Sequence, residues 1–418
     1  MAKEEKKAPK LRFNGYTNDW ERKKLGNVAE NLSYGLNLPS TNYDGNNIYL
    51  RITDIDDESH TLNRDNLTSP NLGKFDKNIL DYKLTENDVV FARTGASVGK
   101  TYVYTPTDGN IYFAGFLVRA KFKSSILANF VFYTTLTSKY LNYVKVTSQR
   151  SGQPGVNAKE YGNFAISITD STEQFRIISL LKKLDGTINL HERKCEELAL
   201  IKKALLQKLF PKKDEIKPEV RYKNFSDAWE QRKLGDISKT KRGLTYKPSN
   251  IDNTGIHVLR SSNIKEDTFV ISDNDVFVKE SAVNIPFVKN GDILITAANG
   301  STNLVGKHAI IRDIPKNSAV HGGFMLITTS KEYEFLNASM SSNWYKKFIK
   351  KYVAGGNGAI GNLRKNDLDN QKIYVPKKDE QEKIGNFFKM LDSLITLHQR
   401  KLERLKQLKK FLLQNMFI

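Results

Sequence analysis

EQFRIISLLKKLDGTINLHERKCEELALIKKALLQKLF, at residues 173–210, and EQEKIGNFFKMLDSLITLHQRKLERLKQLKKFLLQNMF, at residues 380–417, are two copies of one segment. The copies align without a gap, and about half of the aligned positions are identical. Self-similarity of this kind marks an internal repeat. We therefore predict that the chain is built from two related halves, each ending in a long helix.

Apolar residues in each copy are separated alternately by four and three positions, which is the spacing of a coiled-coil seam. The polar interruptions coincide as well, since His191 matches His398 and Lys202 matches Lys409. Polar residues at seam positions can fix the register between two particular helices. We expect the two helices to pack on each other, and to run antiparallel if a pseudo-twofold axis relates the halves. The apolar seam residues are Ile177, Leu181, Leu184, Ile188, Leu198, Leu205, Ile384, Phe388, Leu391, Ile395, Leu402, Leu405 and Leu412.

A second repeat lies at the start of each half. LRFNGYTNDWERKKLGNVAE, at residues 11–30, matches VRYKNFSDAWEQRKLGDISK, at residues 220–239. Both contain the pattern Trp-Glu-x-x-Lys-Leu-Gly, which begins at Trp20 and at Trp229. We interpret the two tryptophans as packing anchors, because large aromatic side chains dominate core burial.

Downstream of this repeat, each half contains short β-rich runs separated by Gly, Asn and Asp. Examples are NIYLRITDI and NDVVFART in the first half, and GIHVLRSSNI and NGDILITAANG in the second. Residues 126–143 and residues 335–352 are each predicted to form one helix. The common order of parts predicts an α+β fold, in which two similar domains with β-rich cores are separated by two long helices packed as an antiparallel coiled coil.

The stretch PKKDEIKPEV, which follows the first long helix, predicts an exposed linker because it combines two prolines with mixed charge. The predicted segments are a polar tail (1–10), a first domain (11–168), a central helix (169–210), a linker (211–219), a second domain (220–376) and a C-terminal helix (377–418).

Net charge is the clearest signal in the composition. The chain has 66 Lys and Arg against 46 Asp and Glu, which gives a net charge of +20 and a pI near 9.6. An excess of this size favours binding to polyanions, nucleic acid first and an anionic membrane surface second. Solubility alone is the alternative explanation.

The sequence gives no sign of secretion or membrane insertion. No apolar run approaches the roughly 18 residues needed to cross a bilayer. The charged start MAKEEKKAPK lacks the apolar core of a signal peptide. The single cysteine, Cys195, cannot form an internal disulfide. We therefore expect a cytoplasmic protein without a membrane partner.

The sequence TGASVGKT, at residues 94–101, resembles a phosphate-binding loop. It does not fit that motif, because three residues separate its glycines where four are needed. The matching segment at residues 300–308 has five residues between its glycines. This disagreement in spacing argues against nucleotide binding. We interpret both segments as strand-to-loop turns that carry Lys100 and Lys307 toward DNA phosphates.

Motifs for catalysis are missing from the sequence. There is no Pro-Pro dipeptide, and hence no DPPY-like motif of the amino-methyltransferases. An E-x-K match at residues 215–217 lies in the predicted linker, where mixed charge is ordinary. The six histidines have no metal-ligand spacing. We predict neither a catalytic residue nor a metal site in this chain.

The paired Trp-Glu-x-x-Lys-Leu-Gly starts, the NDVVFARTGASVGK and GDILITAANGSTNLVGK segments and the repeated helices together resemble the specificity (S) subunit of type I restriction-modification enzymes. The likeness covers nearly the whole chain. It includes the Glu-Gln start and the Leu-Leu-Gln-x-x-Phe end of each helix. The irregular Gly-Lys loop of the second half is its one departure.

The resemblance implies two target recognition domains, each reading one half of a split sequence in double-stranded DNA. It also implies helices that set the spacing between the halves and bind methyltransferase subunits, two in number. Restriction and translocase subunits are implied as further partners. S-adenosylmethionine, ATP and Mg²⁺ would then belong to partner chains, and this chain would hold no cofactor.

Direct readout of DNA favours Arg on guanine and Asn or Gln on adenine. For each candidate, a solvated surface position is the alternative explanation. Side chains of these types in or beside predicted polar loops, together with the two loop lysines, are the candidate DNA contacts: Arg51, Arg93, Lys100, Gln149, Arg150, Gln153, Asn157, Arg242, Arg260, Asn263, Asn299, Asn303, Lys307 and Asn357.

Two other classes of function remain open at the level of the sequence. One is an enzyme that modifies or cleaves DNA by itself. The other is a coiled-coil scaffold without a nucleic-acid role, whose affinity for DNA would not decline in salt.

Overall fold

The computed structural model of the chain describes residues 8–73, 79–149, 152–212, 215–272, 274–353 and 361–418. It divides into two compact units, one formed by residues 1–191 and 401–418 and the other by residues 192–400. Each unit contains one domain and parts of both long helices. None of the described helices combines the length and the apolar character that crossing a membrane requires.

The first unit is an α+β domain. Its strands are β1 (Glu21–Lys24), β2 (Asn31–Tyr34), β3 (Ser40–Asn42), β4 (Asn47–Leu50), β5 (Thr68–Pro70), β6 (Asp88–Ala92), β7 (Thr101–Val103), β8 (Asn110–Phe113), β9 (Leu117–Lys121) and β10 (Ala165–Ile168). Its helices are α1 (Leu25–Val28), α2 (Ser125–Thr135), α3 (Ser138–Thr147), α4 (Ala158–Gly162) and the first part of the central helix α5 (Ser171–Lys208).

A four-stranded antiparallel sheet, in the order β2-β9-β6-β7, forms the centre of this domain. Successive side chains of a strand point to opposite faces of its sheet. Accordingly, Val89 and Phe91 of β6 lie in one hydrophobic cluster, and Val90 and Ala92 lie in another. Strands β4 and β8 pair in parallel beside this sheet, and β1 pairs with β10.

The second unit repeats this organisation. Its strands are β11 (Glu230–Lys233), β12 (Lys239–Arg242), β13 (Ile251–Leu259), β14 (Ile264–Lys265), β15 (Thr268–Phe269), β16 (Val276–Val278), β17 (Ile293–Thr296), β18 (Ala298–Asn299), β19 (His308–Ile310), β20 (Ala319–His321), β21 (Met325–Thr329), β22 (Gly361–Asn362) and β23 (Lys372–Val375). Its helices are α6 (Leu234–Ile237), α7 (Tyr333–Met340), α8 (Asn343–Val353), α9 (Lys365–Asn370) and the first part of the C-terminal helix α10 (Lys378–Asn415).

The central sheets of the two units, and the strand pairs that flank them, correspond. The central sheet of the second unit has the order β12-β21-β17-β19, β13 pairs with β20 in parallel, and β11 pairs with β23. Ile293 and Ile295 of β17 pack into one cluster and Leu294 into another, as in β6. The prediction of two related α+β domains with β-rich cores is therefore confirmed.

The prediction of one helix at residues 126–143 is wrong, because the structure has two helices there, α2 and α3. Thr137 adopts an extended backbone between them, and its hydroxyl donates to the carbonyl of Thr134 at 2.7 Å. This side chain satisfies a carbonyl at the end of α2, so the helix can stop without an unpaired group. The second unit breaks at the same place, between α7 and α8, where the Ser342 hydroxyl donates to the Ser339 carbonyl at 2.7 Å.

Segments of the two long helices run antiparallel inside the first unit. Asp185 of α5 forms an ion pair with Lys409 of α10 at 2.7 Å. Closer to the start of α5, Glu173 accepts the indole N–H of Trp20, whose ring lies 6.4 Å from the ring of Phe417. Early residues of α5 thus adjoin late residues of the C-terminal segment.

The second unit has the same arrangement with the roles of the helices exchanged. Lys202 of α5 forms an ion pair with Asp392 of α10 at 2.6 Å. Phe210, just beyond the end of α5, stacks on Phe388 with ring centroids 6.1 Å apart. Lys202 and Asp392 are the repeat equivalents of Lys409 and Asp185. Inside each unit, the seam lysine is therefore paired with an aspartate of the other helix.

The apolar seam positions divide between the two cores. In the first unit, the buried members are Ile177, Leu181, Leu184, Ile188 and Leu412, and the partly buried ones are Leu402 and Leu405. In the second unit, the buried members are Ile384, Phe388 and Leu391, and the partly buried ones are Leu198, Leu205 and Ile395.

Candidate nucleic-acid interface

The glycine turn of the first unit packs on a helix. Gly95 and Gly99 have φ of +79° and +87°, a backbone region that favours glycine. A Cβ on Gly99 would lie 2.6 Å from Cγ1 of Val144, and the Tyr140 hydroxyl donates to the Gly99 carbonyl at 3.0 Å. In the second unit Gly306, with a φ of +87°, packs against Ile349 in the same way as Gly99 packs against Val144. These glycines have a packing role, which agrees with the argument against a nucleotide loop.

The two loop lysines differ in their surroundings. The ammonium of Lys100 donates to the Ile55 carbonyl at 2.9 Å and forms an ion pair with Asp57, and its side chain is only 10% exposed. Lys307 is half-buried, and it forms no ion pair with any residue that the structure describes. Lys100 is thus held within its own domain, whereas Lys307 is available to a phosphate.

Arg51 and Arg260 occupy equivalent positions after β4 and β13. Arg51 donates to both carboxylate oxygens of Asp54, at 2.9 and 2.7 Å, and this hydrogen bonding raises the pKa of Arg51. In the second unit Asn263 takes the place of Asp54. Asn263 is fully buried, and its amide donates to Val270 and Asp275. Arg51 and Asn263 therefore make several hydrogen bonds within their own domains. The Arg260 side chain makes one long hydrogen bond, to the Asn274 carbonyl at 3.4 Å.

Several candidates of the first unit lie where β2 and β6 end. The guanidinium of Arg93 lies 4.9 Å from the centre of the Tyr34 ring, in cation–π geometry. The Arg93 carbonyl accepts from Val156, so the loop before α4 runs beside it. Asn157 in this loop is exposed and caps α4, its side chain accepting from the Glu160 N–H at 2.9 Å. Gln149 and Gln153 are also exposed.

The matching end of the second unit carries different side chains. Arg242, at the end of β12, is exposed and stands in register where the first unit has Tyr34, since Tyr34 pairs with Val118 and Arg242 with Leu326. Asn299 is half-buried, and its amide donates to the Ser261 hydroxyl at 3.1 Å. Asn303 is exposed. Two further candidates, Arg150 and Asn357, lie outside the described residues.

Four residues at these strand ends were missed by the sequence analysis, one of them Tyr34. Arg364 precedes α9 at the position of Asn157 and is exposed. Phe116 and Phe324 lie in the turns that precede β9 and β21, and both are strongly exposed. The charge of Arg364 was visible in the sequence, but the phenylalanines were hidden in apolar runs that read as strands. We use the term strand-end surface for Tyr34, Arg93, Phe116 and Asn157, and for Arg242, Asn299, Phe324 and Arg364 in the second unit.

Among the described residues, no group of three His, Cys, Asp or Glu side chains is placed to hold a metal ion. The two strand-end surfaces present guanidinium, amide and aromatic groups. Such groups suit the recognition of phosphates and base edges. A duplicated α+β domain with these surfaces defines a class of protein that binds an extended polyanion at two places.

A family model described as the type I restriction modification DNA specificity domain matches residues 17–200 and again residues 226–407. The chain belongs to this family. Its members are the DNA-recognition subunits of type I restriction-modification systems, and they are not themselves catalytic. The duplication found in the sequence is thus the duplication of this domain.

Individual relatives agree with the family match. The chain is 24% identical over 338 residues to the type I restriction enzyme MjaVIII specificity subunit of Methanocaldococcus jannaschii, covering 78% of this chain and 77% of that protein. It is 23% identical over 336 residues to the EcoKI specificity subunit of Escherichia coli, covering 75% and 71%.

The fold is also shared with solved structures. The crystal structure of the type I restriction-modification S subunit from M. genitalium matches with a TM-score of 0.66 and 17% identity, over 98% of this chain and 99% of that one. A chain from a structure on complex assembly and conformational transition of the type I system matches with a TM-score of 0.51 and 15% identity, over 94% and 96%.

Proposed function

We propose that each domain of this specificity subunit reads one half of a bipartite target in double-stranded DNA. The observation that supports this most directly is the contrast between a repeated backbone and unrepeated polar side chains. Tyr34 and Asn157 in one strand-end surface correspond to Arg242 and Arg364 in the other. Two domains with the same backbone fold but different polar side chains would bind DNA in similar orientations and recognise different bases.

We further propose that the long helices set the spacing between the two half-sites. Each helix has 38 residues, about 57 Å at about 1.5 Å per residue, which exceeds the roughly 34–36 Å of one turn of DNA. Inserting four residues, about one helical turn, between Ile188 and Leu198 should change the preferred gap and leave both half-sequences unchanged. Changed half-sequences with an unchanged gap would contradict this division of roles.

Partner subunits are proposed to dock on the long helices. Met390, Leu394 and Leu397 are exposed on α10 at intervals of four and three, so they form an apolar stripe on one face. In the other unit, Leu408 and Phe411 are exposed three residues apart. We propose that these stripes bind two methyltransferase subunits. Restriction and translocase subunits, and the S-adenosylmethionine, ATP and Mg²⁺ of the reactions, would join through the partners in the cytoplasm.

A methylome tests the proposal as a whole. The chain is expressed together with its methyltransferase partner in a host that lacks adenine methylation, and modified sites are mapped on the genome. A two-part motif with a fixed gap is expected. Replacing residues 30–168 by another reading domain should change only one part of that motif. A single continuous motif, or methylation independent of this chain, would refute the proposed function.

A further inference from the structure

The turn before β9 and the turn before β21 each present one phenylalanine to solvent. The side chain of Phe116 is 62% exposed and that of Phe324 is 73% exposed. Single apolar residues on a surface are ordinary and need no explanation. Two exposed phenylalanines at equivalent positions of a duplicated domain call for an explanation. Burying a phenylalanine side chain is favourable, and both domains have a hydrophobic core in which it could lie.

The two turns have the same construction. The Leu117 N–H donates to the Ala114 carbonyl at 2.9 Å, and the Met325 N–H donates to the Gly322 carbonyl at 2.8 Å. Each is a four-residue β-turn with phenylalanine at its third position. Because these hydrogen bonds correspond, Phe116 and Phe324 occupy the same position in the two domains.

Glycine precedes each phenylalanine because the turn lies close to a neighbouring segment. A Cβ on Gly115 would be 3.2 Å from the Leu36 carbonyl oxygen, and one on Gly323 would be 3.1 Å from the Thr245 hydroxyl. The carbonyl of Phe116 also accepts the Arg93 N–H at 3.0 Å.

The second turn is held in the same way. The carbonyl of Phe324 accepts the N–H of Ala297 at 2.9 Å and that of Ala298 at 3.1 Å. The backbone on both sides is thus fixed. Each phenylalanine is presented outward from a rigid support, which is the arrangement that a preorganised contact requires.

Cationic and polar side chains lie at the same strand ends as the exposed rings. Beside Phe116, the guanidinium of Arg93 lies 3.5 Å from the Gly115 carbonyl and over the ring of Tyr34. In the second unit, the backbone position of Arg93 is taken by the buried Ala297, and Arg242 occupies the register position of Tyr34. Each strand-end surface therefore carries an arginine near the turn along the backbone, Arg93 just after β6 in the first unit and Arg242 at the end of β12 in the second.

We propose that Phe116 and Phe324 are direct apolar contacts of the two domains with base pairs of double-stranded DNA. Each ring would press on a thymine methyl group or wedge against a base step, while the adjacent arginine binds a phosphate or a base edge. The inference rests on the proposed function, because it assigns one ring to each half-site.

A protein partner is the competing explanation for the exposed rings. The cores of protein–protein interfaces are depleted of charged residues and extend over apolar surface. The strand-end surface of Phe116 instead carries Arg93 and Asn157, that of Phe324 carries Arg242 and Arg364, and the chain has a net charge of +20. Charge complementarity favours DNA.

The test uses Phe116→Ala and Phe324→Ala in the full chain, assembled with its methyltransferase partner. Matched controls are Leu80→Ala and Ile271→Ala, which remove other exposed side chains of the same two domains, 64% and 57% exposed. The motif is first taken from the wild-type methylome. Affinity is then measured on a duplex oligonucleotide that carries this motif, and on duplexes with single substitutions in either half.

We expect each phenylalanine variant to bind the motif about tenfold more weakly, the effect of losing one good contact. Phe116→Ala should relax base preference in one half-site and Phe324→Ala in the other, and the controls should match the wild type. Restoring bulk with Phe116→Leu should recover part of the affinity, which a misfolded domain would not do.

Three outcomes would overturn the proposal: unchanged affinity, an equal loss on every duplex including random sequence, or a loss of methyltransferase assembly with intact DNA binding. The last outcome would assign the rings to a protein interface. Failure of the underlying function looks different, because the wild-type methylome would then contain no two-part motif at all.

Discussion

Each long helix has a buried glutamate in its first turn, Glu173 in α5 and Glu380 in α10, but the surroundings of these two glutamates differ. Glu173 is fully buried and accepts two hydrogen bonds from Arg12, at 2.6 and 2.9 Å, one from the Trp20 indole and one from the Thr169 hydroxyl. Glu380, at 1% exposure, accepts two from Arg221, each at 2.7 Å. In the second unit proline replaces the threonine, and the buried indole N–H of Trp229 has no hydrogen-bond partner among the described residues.

The comparison separates what the repeat requires from what one copy has added. Both copies keep a bidentate Arg–Glu pair that ties the segment before β1 or β11 to the start of a long helix. Bidentate charge-assisted pairs are the strong and geometrically specific kind. Only the first copy also satisfies its tryptophan. The Arg–Glu ion pair is therefore the contact between domain and helix that both units share. The hydrogen bonds from Trp20 and Thr169 are additional contacts of the first unit.

Glu173→Ala and Glu380→Ala should give the largest losses of stability, because each leaves an arginine without its buried partner. Breaking a buried pair by removing one member costs about 3–5 kcal/mol. The loss should be greater for Glu173→Ala, since Trp20 and Thr169 lose their acceptor too. Hydrogen–deuterium exchange of peptides from each unit measures the loss, and the unaltered unit of the same chain is an internal reference.

The double variant Arg12→Met with Glu173→Leu is the matched control. It removes both charges together, and replacing a whole buried pair by apolar residues is often close to neutral. It should therefore be more stable than Glu173→Ala. If the alanine variants at Glu173 and Glu380 cost the same, the added donors of the first unit contribute nothing.

A second test asks whether the glycine turns are equivalent. Gly99→Ala combines a φ of +87° with a Cβ only 2.6 Å from Val144, and Gly306→Ala combines the same φ with a Cβ 2.6 Å from Ile349. Left-handed strain and overpacking together should cost about 2–4 kcal/mol in either unit. Gly45→Ala has a similar φ of +86° but open space around its Cβ, so it should cost only about 1–2 kcal/mol. Chemical denaturation followed by unit-resolved exchange compares the three variants.

Local spacing explains which parts of the fold could be predicted from the sequence. The seam and the duplicated domains follow from periodicity and repetition, which are visible without coordinates. The break at Thr137 was missed because the residue types continue without a glycine or proline, and because the hydrogen bond from the Thr137 hydroxyl to the Thr134 carbonyl is not visible in residue spacing. The contacts of Lys100 within its own domain could not be read from the sequence, because its partners, Ile55 and Asp57, come from a distant loop. The exposure of Phe116 could not be predicted because it depends on the turn before β9. That turn is held by a hydrogen bond from the Arg93 N–H, just after β6, to the Phe116 carbonyl.

Acid should weaken the second unit more than the first. Burial lowers the pKa of His321 to about 4, and it also lowers the pKa values of His257 and His308 in that unit and of His60 in the first unit. At the position of His321 the first unit has Phe113, since β8 and β20 correspond. Unfolding lets His321 bind a proton near its ordinary pKa of about 6.5. Stability of the second unit should therefore fall by about 2–3 kcal/mol between about pH 6.5 and 4 from this residue.

His321→Phe, which copies the first unit, is the variant that isolates this contribution. It should reduce the slope of stability against pH in the second unit over the same interval and leave the first unit unchanged. His257 and His308 contribute to the slope that remains. An unaltered slope in the variant would mean that His321 does not titrate differently in the folded and unfolded states.

The smallest expected difference concerns the two seam ion pairs. Asp185 pairs with Lys409 at 2.7 Å and also accepts the Tyr133 hydroxyl at 2.8 Å, whereas Asp392 has Lys202 at 2.6 Å. Partly exposed ion pairs contribute about 0.2–1 kcal/mol. A buried hydroxyl left without an acceptor adds about 1 kcal/mol or more. Asp185→Ala should therefore cost about 1–2 kcal/mol and Asp392→Ala about 0.5 kcal/mol.

Double-mutant cycles with Lys409→Ala and Lys202→Ala separate the ion pairs from the hydroxyl. Both cycles should give the same small coupling energy, and both couplings should shrink at high salt because exposed charges are screened. The excess cost of Asp185→Ala should survive in salt, since it comes from Tyr133, and it should vanish in a Tyr133→Phe background. An excess that disappears in salt instead would place the asymmetry in the charges. The seam would then differ between the two units in the very contact that the repeat preserves.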